Sequence, residues 1–305
     1  MRGWNLNYSN THIIPCSFEY YEPRSIEEAI ELLTKLGPEA KVLAGGTDLL
    51  VQIKMGVLRP KYIVNIKGIE ELRGVRDYGD HLVIGALTRL RELENNPIVR
   101  ERFTALYEAL KSMASIQIRN MATIGGNLCN ASPAADTAPP LMVFNARLVV
   151  VGPGGERIVP ITGFFQGPKK TVLRHNELLK EIILPYPRGR IGSAFIKISR
   201  TSMDLAKASV AVKLVIGGGN VVEDVAVALG SVAPTPVRAH SVEDYLRGRV
   251  FSRETAMEAA RLVVNDISPI TDARSTAEYR RHVSKVITFD ALLKAFERAV
   301  GGGGG

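Results

Sequence analysis

Cysteine is scarce in this sequence, which holds only Cys16 and Cys129 among its 305 residues. A [2Fe–2S] cluster normally needs four cysteine ligands, and a zinc site of the finger type needs four cysteine or histidine ligands at close spacing. The five histidines stand apart, with no pair at a metal-binding spacing: His12, His81, His175, His240 and His282. These absences exclude an iron–sulfur cluster or a structural zinc site built by this chain alone, and we expect it to hold no metal.

Long apolar runs are also missing. No run reaches the roughly 18 residues that a membrane-spanning helix needs. The first eight residues, MRGWNLNY, do not have the apolar core of a signal peptide. We therefore expect no membrane span and a cytoplasmic location. Residues 1–14 and 301–305 are expected to be flexible ends.

Two common nucleotide-binding signatures are absent as well. There is no G-x-x-x-x-G-K-[ST] phosphate loop, and no strand-anchored G-x-G-x-x-G of a Rossmann dinucleotide site. Neither a Ser–His–Asp set nor a pair of catalytic carboxylates stands out. The chain therefore shows no acid–base machinery of its own, which suits electron transfer, where a cofactor does the chemistry and the protein positions it.

Positive charge is in excess, with 39 Lys and Arg against 31 Asp and Glu and a net charge of +8. The basic residues are scattered, and the densest groups, Lys169–Lys170 and Arg280–Arg281, have no aromatic platform beside them. A nucleic-acid site would need a clustered basic patch. We therefore expect no nucleic-acid partner. The charge is interpreted as a solvated surface that helps to hold an anionic dinucleotide or to dock an acidic partner.

Two glycine-rich segments carry the functional signal. The first, AGGTDLL at 44–50, follows the apolar run Val42–Ala44, and the second, TIGGN at 123–127, lies in a polar stretch of small residues. Paired glycines tolerate positive φ and have no Cβ, so successive backbone N–H groups can turn toward one point and form an anion nest. One Gly–Gly pair alone is usually a plain turn. Two such segments predict a pyrophosphate held by the backbone amides of two separate loops.

These segments resemble those of a known family. The run KVLAGGTDLL at 41–50 resembles the first FAD loop of the molybdenum hydroxylase flavoproteins. The run QIRNMATIGGN at 117–127, followed by Ser132–Pro133 and Asp136, resembles their second FAD loop, and 193–207 is similar to the start of their C-terminal domain. That family includes xanthine dehydrogenase, aldehyde oxidase and aerobic carbon monoxide dehydrogenase. The resemblance covers essentially the whole chain.

The resemblance implies an FAD site made by this chain, with no catalytic residue and no metal ligand of its own. Carried over position by position, it assigns to cofactor binding Lys41, Val42, Leu43, Ala44, Gly45, Gly46, Thr47, Asp48, Leu49, Ile118, Ala122, Thr123, Gly126, Asn127, Asp136, Leu179 and Lys197. Leu179, Ile196 and Leu205 match positions near the isoalloxazine ring, although without the resemblance ordinary strand or core packing would be the preferred interpretation of these residues. Some family members carry a lysine where Ile196 stands, next to Lys197 here, which leaves open the group that polarises the flavin.

Other site residues also have plainer interpretations. Thr47 and Thr123 are either hydroxyl donors to the pyrophosphate or turn residues. Asp48 either offers its backbone N–H to a phosphate or caps the following helix with its carboxylate. Asn127 bonds either a phosphate or a neighbouring carbonyl. Asp136 either accepts from ribose hydroxyls or braces its loop.

The periodicity of apolar residues predicts several helices and strands. A capping box at Ser25–Glu28 begins a helix that ends before Gly37, and a longer helix is expected over 101–115. A second capping box, Ser275 to Glu278, begins the last helix. The glycines at 217–219 are interpreted as the turn of a hairpin, since alternating strands flank them.

Together with the resemblance, these elements predict an α+β protein of two domains. A two-subdomain FAD-binding domain of the PCMH type is expected at 15–187, with subdomains at about 15–74 and 75–187. A C-terminal flavoprotein domain of antiparallel sheet plus helices is expected at 188–300, after the breaker-rich segment at 186–190.

By resemblance, the chain is the FAD-binding medium subunit of a molybdenum hydroxylase that oxidises carbon monoxide, an aldehyde or a purine. Substrate is then oxidised at the molybdenum cofactor of a large subunit. Electrons pass through the [2Fe–2S] clusters of a small subunit to the FAD here, and on to an external acceptor. Two alternatives stay open: a stand-alone FAD-dependent oxidase or reductase of the same superfamily, and a non-enzymatic nucleotide-binding assembly subunit.

Overall fold

The computed structural model describes residues 14–301. The flexible ends predicted at 1–14 and 301–305 lie, apart from Ile14 and Gly301, outside these described residues. The described residues form helices and four sheets, as the predicted α+β class requires. No helix within 14–301 combines the length and the apolar character that crossing a membrane would take.

The first sheet is small and parallel, with the strand order β1-β3-β2. Its strands are β1 (Glu19–Tyr21), β2 (Ala40–Leu43) and β3 (Tyr62–Asn65), and the helices beside them are α1 (Ile26–Leu36) and α2 (Leu49–Lys54). Helix α1 buries one apolar face, including Ile26 and Leu33, against Ala40 and Val64 of the sheet. The first glycine segment connects β2 to α2 and is therefore anchored at both ends.

A second, antiparallel sheet has the order β4-β5-β10-β6-β7. Its strands are β4 (Val75–Asp77), β5 (His81–Gly85), β6 (Arg147–Gly152), β7 (Gly155–Pro160) and β10 (Leu178–Pro185), and a separate short pair is formed by β8 (Phe165–Gly167) and β9 (Lys170–Thr171). Six helices lie between β5 and β6: α3 (Leu90–Glu94), α4 (Pro97–Arg102), α5 (Thr104–Ser112), α6 (Ile116–Met121), α7 (Ile124–Cys129) and α8 (Ala138–Val143). They share one apolar core with the sheet.

The last sheet is antiparallel in the order β11-β12-β13-β14. Its strands are β11 (Arg190–Ile198), β12 (Ala208–Ile216), β13 (Val222–Gly230) and β14 (Val237–Arg238), and its helices are α9 (His240–Leu246), α10 (Arg253–Leu262) and α11 (Ala277–Gly301). The three glycines at 217–219 lie in the turn between β12 and β13, which confirms the predicted hairpin. Strands and helices of this part bury a second large core.

The helix predicted over 101–115 is wrong, because the chain breaks at Phe103. This residue has φ −126° and ψ 53°, outside the helical region, and it separates α4 from α5. Its side chain is fully buried and meets the Phe144 ring edge-to-face, with 5.0 Å between the ring centroids. Tertiary packing therefore overrides a local pattern that is continuous across the break.

Two predicted capping boxes also need correction. Ser25 Oγ accepts from the Glu28 N–H at 3.2 Å, as predicted, but the Glu28 carboxylate accepts from the Arg24 N–H at 2.7 Å. The last helix begins at Ala277, and its cap is Thr276, whose Oγ1 accepts from the N–H of Tyr279 at 3.1 Å. A true capping box lies on α10, between Ser252 and Thr255.

Helix α5 and strand β11 run along each other and join the two large cores. Contacts recur at every second residue of the strand, where Ala105 N donates to Ser193 Oγ at 3.1 Å, Phe195 N to a Glu108 carboxylate oxygen at 2.8 Å, and Lys197 Nζ to the Ser112 carbonyl at 3.4 Å. On its other side β11 lies tightly against α11. A Cβ on Gly192 would lie 1.8 Å from the Ala295 carbonyl oxygen, so this contact needs glycine.

Glu108 is the charged centre of this contact. Its carboxylate accepts from Arg298 at 2.6 Å and from Lys294 at 2.7 Å, and its side chain is 18% exposed. Burial by itself raises the pKa of the Glu108 carboxyl, but the hydrogen bonds from Arg298 and Lys294 outweigh burial and hold that pKa below its ordinary value. Glu108, Lys294 and Arg298 therefore form a brace between α5 and the end of α11.

We expect Glu108→Gln to lower the free energy of unfolding by about 2 kcal/mol at neutral pH, since it removes a charge that two cations share. A carboxyl with a lowered folded-state pKa stabilises the fold above its unfolded pKa, and this contribution is lost as the pH falls through the folded pKa. The difference from wild type should therefore shrink below about pH 4.5. Chemical denaturation over a pH series measures it, with Glu258→Gln as the control from an exposed ion pair.

Candidate functional site

The first glycine segment presents a row of unpaired backbone donors. Within residues 14–301, the amide groups of Gly45, Gly46, Thr47 and Asp48 donate no hydrogen bond to the protein. Gly46 has φ +77°, which turns the backbone where the row needs it. Successive N–H groups in such a turn form an anion nest. The structure thus contains the donor set that the sequence predicted for this segment.

The two glycine segments lie against each other. A Cβ on Gly45 would lie 2.2 Å from the Met121 carbonyl oxygen and 2.9 Å from Ala122 Cα. No residue but glycine permits this approach of one backbone to another. The nest at 45–48 therefore meets the chain where α6 ends and the second glycine segment begins.

The second segment differs from its prediction. It forms the start of helix α7, and neither Gly125 nor Gly126 has a positive φ. The amides that follow Thr123 already have acceptors: Ile124 N donates to the Thr88 carbonyl at 3.0 Å, Gly125 N to the Ala86 carbonyl at 2.9 Å, Gly126 N to Thr123 Oγ1 at 3.1 Å, and Asn127 N to the Thr123 carbonyl at 3.0 Å. The prediction that the amides of this segment form a second nest is therefore wrong. Gly125 is needed for close packing, because its Cβ would lie 2.6 Å from that of Ala86.

The side chains of the second segment remain available to a ligand. Thr123 Oγ1 accepts from Gly126 N and keeps its O–H to donate elsewhere. Asn127 Oδ1 accepts from the Thr137 hydroxyl at 2.6 Å, while its amide NH₂ donates to no residue of the described 14–301. Asp48 stands at the N-cap position of α2, but its side chain makes no cap hydrogen bond, so the capping role considered for its carboxylate is wrong.

Asp136 and Lys197 form a buried ion pair between the loop after α7 and strand β11. The Lys197 Nζ lies 2.6 Å from Asp136 Oδ2, and the side chains are 3% and 4% exposed respectively. Asp136 Oδ1 is buried and accepts from no described residue, so one acceptor remains for a ligand hydroxyl. Burial raises the pKa of the Asp136 carboxyl, against the opposing effect of Lys197. The ribose-acceptor and brace interpretations of Asp136 are thus compatible with each other.

The other predicted residues occupy less direct positions. Lys41 donates its Nζ to the Pro38 carbonyl at 3.1 Å, so this cation is tied to its own turn. Leu179 is a buried core residue of β10, and Ile196 is partly buried against the C-terminal core. Leu205 is 44% exposed. The remaining predicted residues flank the nest or the second segment: Val42, Leu43, Ala44, Leu49, Ile118 and Ala122.

Three cations that sequence reasoning missed line the junction of the two segments. A small cavity of about 30 Å³ is bounded there by Gly45, Thr123, Met121 and Leu87, together with Lys67, Arg73 and Arg89. The three cations come from turns near the ends of β3, β4 and β5, and no local motif links them. Only the fold brings them together.

A larger cleft of about 360 Å³ lies elsewhere, between the end of β10 and the hairpin of β12 and β13. Opposite charges in its lining pair with each other, as Lys213 Nζ does with Asp224 at 2.9 Å. Burial raises the pKa of Tyr186, also in this lining, to about 12, with a further contribution from its hydrogen bond to Asp77. The cleft contains none of the predicted site residues, and we assign no cofactor to it.

Comparison with known protein families shows to which family the chain belongs. Residues 16–187 match the FAD-binding domain in molybdopterin dehydrogenase, and residues 193–295 match the C-terminal domain of the carbon monoxide dehydrogenase flavoprotein. The chain belongs to this family. It therefore carries an FAD-binding domain, and the resemblance seen in its glycine segments is confirmed.

Relatives of this flavoprotein are similar over nearly their whole length. The carbon monoxide dehydrogenase medium chain of Hydrogenophaga pseudoflava is 38% identical over 94% of this chain and 99% of its own. A putative xanthine dehydrogenase FAD-binding subunit of Escherichia coli strain K12 is 36% identical over 92% of this chain and 97% of its own.

A solved structure has the same fold as this chain. A structure of carbon monoxide dehydrogenase from Hydrogenophaga pseudoflava, which lacks the Mo-pyranopterin moiety of the molybdenum cofactor, superposes with a TM-score of 0.91. It is 38% identical and covers 94% of this chain and 99% of the compared chain. The predicted α+β fold class is confirmed. The flavoprotein is accordingly an FAD-binding medium subunit of the molybdenum hydroxylase family, an oxidoreductase component.

Proposed function

We propose that this flavoprotein is the electron-transfer subunit of a molybdenum-cofactor hydroxylase or dehydrogenase. The observation that carries the proposal is the row of unpaired amides at 45–48. A diphosphate accepts hydrogen bonds from several successive donors, and the row supplies them beside the Thr123 hydroxyl. The residues present therefore fit a dinucleotide.

Each part of the proposed site has a distinct task. The amides of 45–48 donate to the diphosphate, and the Thr123 hydroxyl donates from the facing segment. Asp136 Oδ1, which has no described partner, accepts from a ribose hydroxyl, while Lys197 compensates the charge of its carboxylate. FAD held by these residues would supply the redox chemistry for electron transfer from iron–sulfur clusters of a partner to an external acceptor.

The partners in this proposal are an iron–sulfur small subunit and a large subunit that holds the molybdenum cofactor. The presence of only two cysteines supports this division, since the chain cannot hold such clusters alone. The names of its relatives, a medium chain and an FAD-binding subunit, agree with it. We further propose a cytoplasmic location, domain limits at 15–187 and 188–300, and cofactor contacts from all the residues predicted above.

The identity and completeness of the site can be tested on the chain expressed alone. We expect the purified protein to show the visible absorption of a flavin, and the flavin released by acid to chromatograph as FAD. The protein should oxidise no aldehyde, purine or carbon monoxide until an iron–sulfur subunit and a molybdenum subunit are added. Addition of both should then restore bleaching of the flavin by substrate.

The two alternatives give different results in the same experiment. A colourless protein that takes up no FAD would support the assembly subunit. Substantial substrate oxidation by the single chain would support the stand-alone flavoenzyme, and recovery of FMN alone would contradict a dinucleotide site.

A further inference from the structure

We propose that Lys67, Arg73 and Arg89, here called the cationic cluster, supply the positive charge that holds the diphosphate of the cofactor. The proposal rests on the FAD-binding function proposed above and adds residues that the glycine segments do not include. The cluster lines the cavity of about 30 Å³ where Gly45 and Thr123 meet. A cavity of this size holds about one water-sized group. It therefore admits a phosphate oxygen, with the rest of the diphosphate over the nest.

Backbone amides alone do not compensate the charge of a diphosphate, so side chains must supply positive charge. The diphosphate of a dinucleotide carries two negative charges, whereas the amides at 45–48 are neutral donors. The amides of the second segment already donate within the protein, from Ile124 to Asn127. Charge-assisted hydrogen bonds are about twice as strong as neutral ones. The cationic cluster is therefore the local source of the compensating charge.

The cluster is free to take an anion. Within the described part of the chain, Lys67 forms no ion pair. Among residues 14–301, Arg73 Nε is buried without a hydrogen-bond partner, and its closest acidic oxygen belongs to the 84%-exposed Glu70, at 3.7 Å. Arg89 Nε lies 3.8 Å from a carboxylate oxygen of Glu92, which is 51% exposed. Such long, solvated pairs contribute little and do not compete with a partly buried dianion.

The cluster also bridges two parts of the FAD-binding domain. Lys67 lies in the turn after β3, and Arg73 fixes that turn by donating to the Lys67 carbonyl at 2.5 Å. Arg89 follows β5, and its backbone forms an isolated bridge with Thr123. An anion held by all three cations would tie the small parallel sheet to the second sheet.

Affinity for FAD and its salt dependence test the proposal on the full chain freed of flavin. We expect Lys67→Gln and Arg89→Gln each to raise the Kd for FAD about tenfold at low salt, the loss of one charge-assisted bond. Arg89→Lys keeps the charge and should stay close to wild type. Arg247→Gln, from the exposed pair with Asp244, is the control and should change nothing.

The salt dependence of FAD affinity distinguishes a contribution of charge from a contribution of the shape of the site. Wild-type affinity for FAD should fall as the salt concentration rises, and the double variant Lys67→Gln/Arg89→Gln should lose most of that dependence. Wild-type protein that binds no FAD would contradict the proposed function itself. FAD binding at wild-type affinity and salt dependence in the double variant would contradict only the cationic cluster. A second result would also contradict the cationic cluster: inorganic phosphate stabilises wild type but not the double variant, while both proteins bind FAD with the same affinity. The three cations would then hold an anion other than the diphosphate.

Discussion

Replacing Gly45 by alanine is expected to remove the flavin from the protein while leaving most of the fold in place. The new Cβ would lie 2.2 Å from the Met121 carbonyl oxygen and 2.9 Å from Ala122 Cα, and both are backbone atoms. The two glycine segments would have to separate, at a cost of about 1–3 kcal/mol or more. The nest would then no longer face Thr123. The flavin-to-protein ratio of the purified variant measures the effect, and we expect a value near zero.

A matched control comes from the same domain. No atom of residues 14–301 lies within 4 Å of the position that a Cβ on Gly163 would take, and its φ is not positive, so Gly163→Ala should keep the wild-type flavin content. Gly46→Val is a second test, because Gly46 has φ +77° and its Cβ would lie 3.0 Å from a Leu50 methyl carbon. Wild-type flavin occupancy in both Gly45→Ala and Gly46→Val would contradict the placement of the cofactor at this segment.

Lys197→Met is expected to lower the free energy of unfolding by about 3–5 kcal/mol, because it leaves the buried Asp136 carboxylate without its partner. Burial raises the pKa of Asp136. A carboxyl whose folded pKa is raised stabilises the fold most below its unfolded pKa, and loses that contribution as the pH rises through the folded pKa. Loss of Lys197 removes the charge that lowers this pKa, so the Asp136 pKa rises further in the variant, which then loses more stability than wild type as the pH rises. The penalty of Lys197→Met should therefore be smallest in acid. Chemical denaturation at several pH values measures it.

Two further variants identify the cause of that loss. Lys197→Met combined with Asp136→Leu removes both charges, and we expect it to recover much of the lost stability. Arg261→Gln breaks an exposed pair with Glu258, with 60% and 49% of the side chains exposed, and should cost less than about 1 kcal/mol. If Lys197→Met costs no more than Arg261→Gln, the buried pair does not stabilise the fold as we predict.

The first glycine segment was predictable from sequence because its conformation is local. A strand, a glycine with positive φ and a short helix follow one another at 40–54, and each leaves its own signal in the residues. The prediction for the second segment, a nest of amides, was wrong for a physical reason. Glycines at 125 and 126 disfavour a helix, but the Thr123 hydroxyl caps α7 and Gly125 packs closely on Ala86.

Features that depend on distant contacts could not be predicted from the sequence. The break at Phe103 interrupts a continuous helical pattern, since burial of the aromatic ring decides it. Lys67, Arg73 and Arg89 are separated by elements of two sheets, so no spacing marks them as a cluster. The pairing of Asp136 with Lys197 likewise joins residues 61 positions apart. The topology of the fold determines all three features, and a single sequence contains little information about topology.

The brace on Glu108 has a consequence for how the protein is made. Lys294 and Arg298 stand 186 and 190 residues after their acidic partner, near the end of the last helix. During synthesis on the ribosome, α5 is therefore complete long before the cations that hold it to β11 have been translated. Until then Glu108 has only the Phe195 backbone N–H among its described partners. The contacts of α11 with Glu108 can therefore form only after the last turns of α11 have left the ribosome.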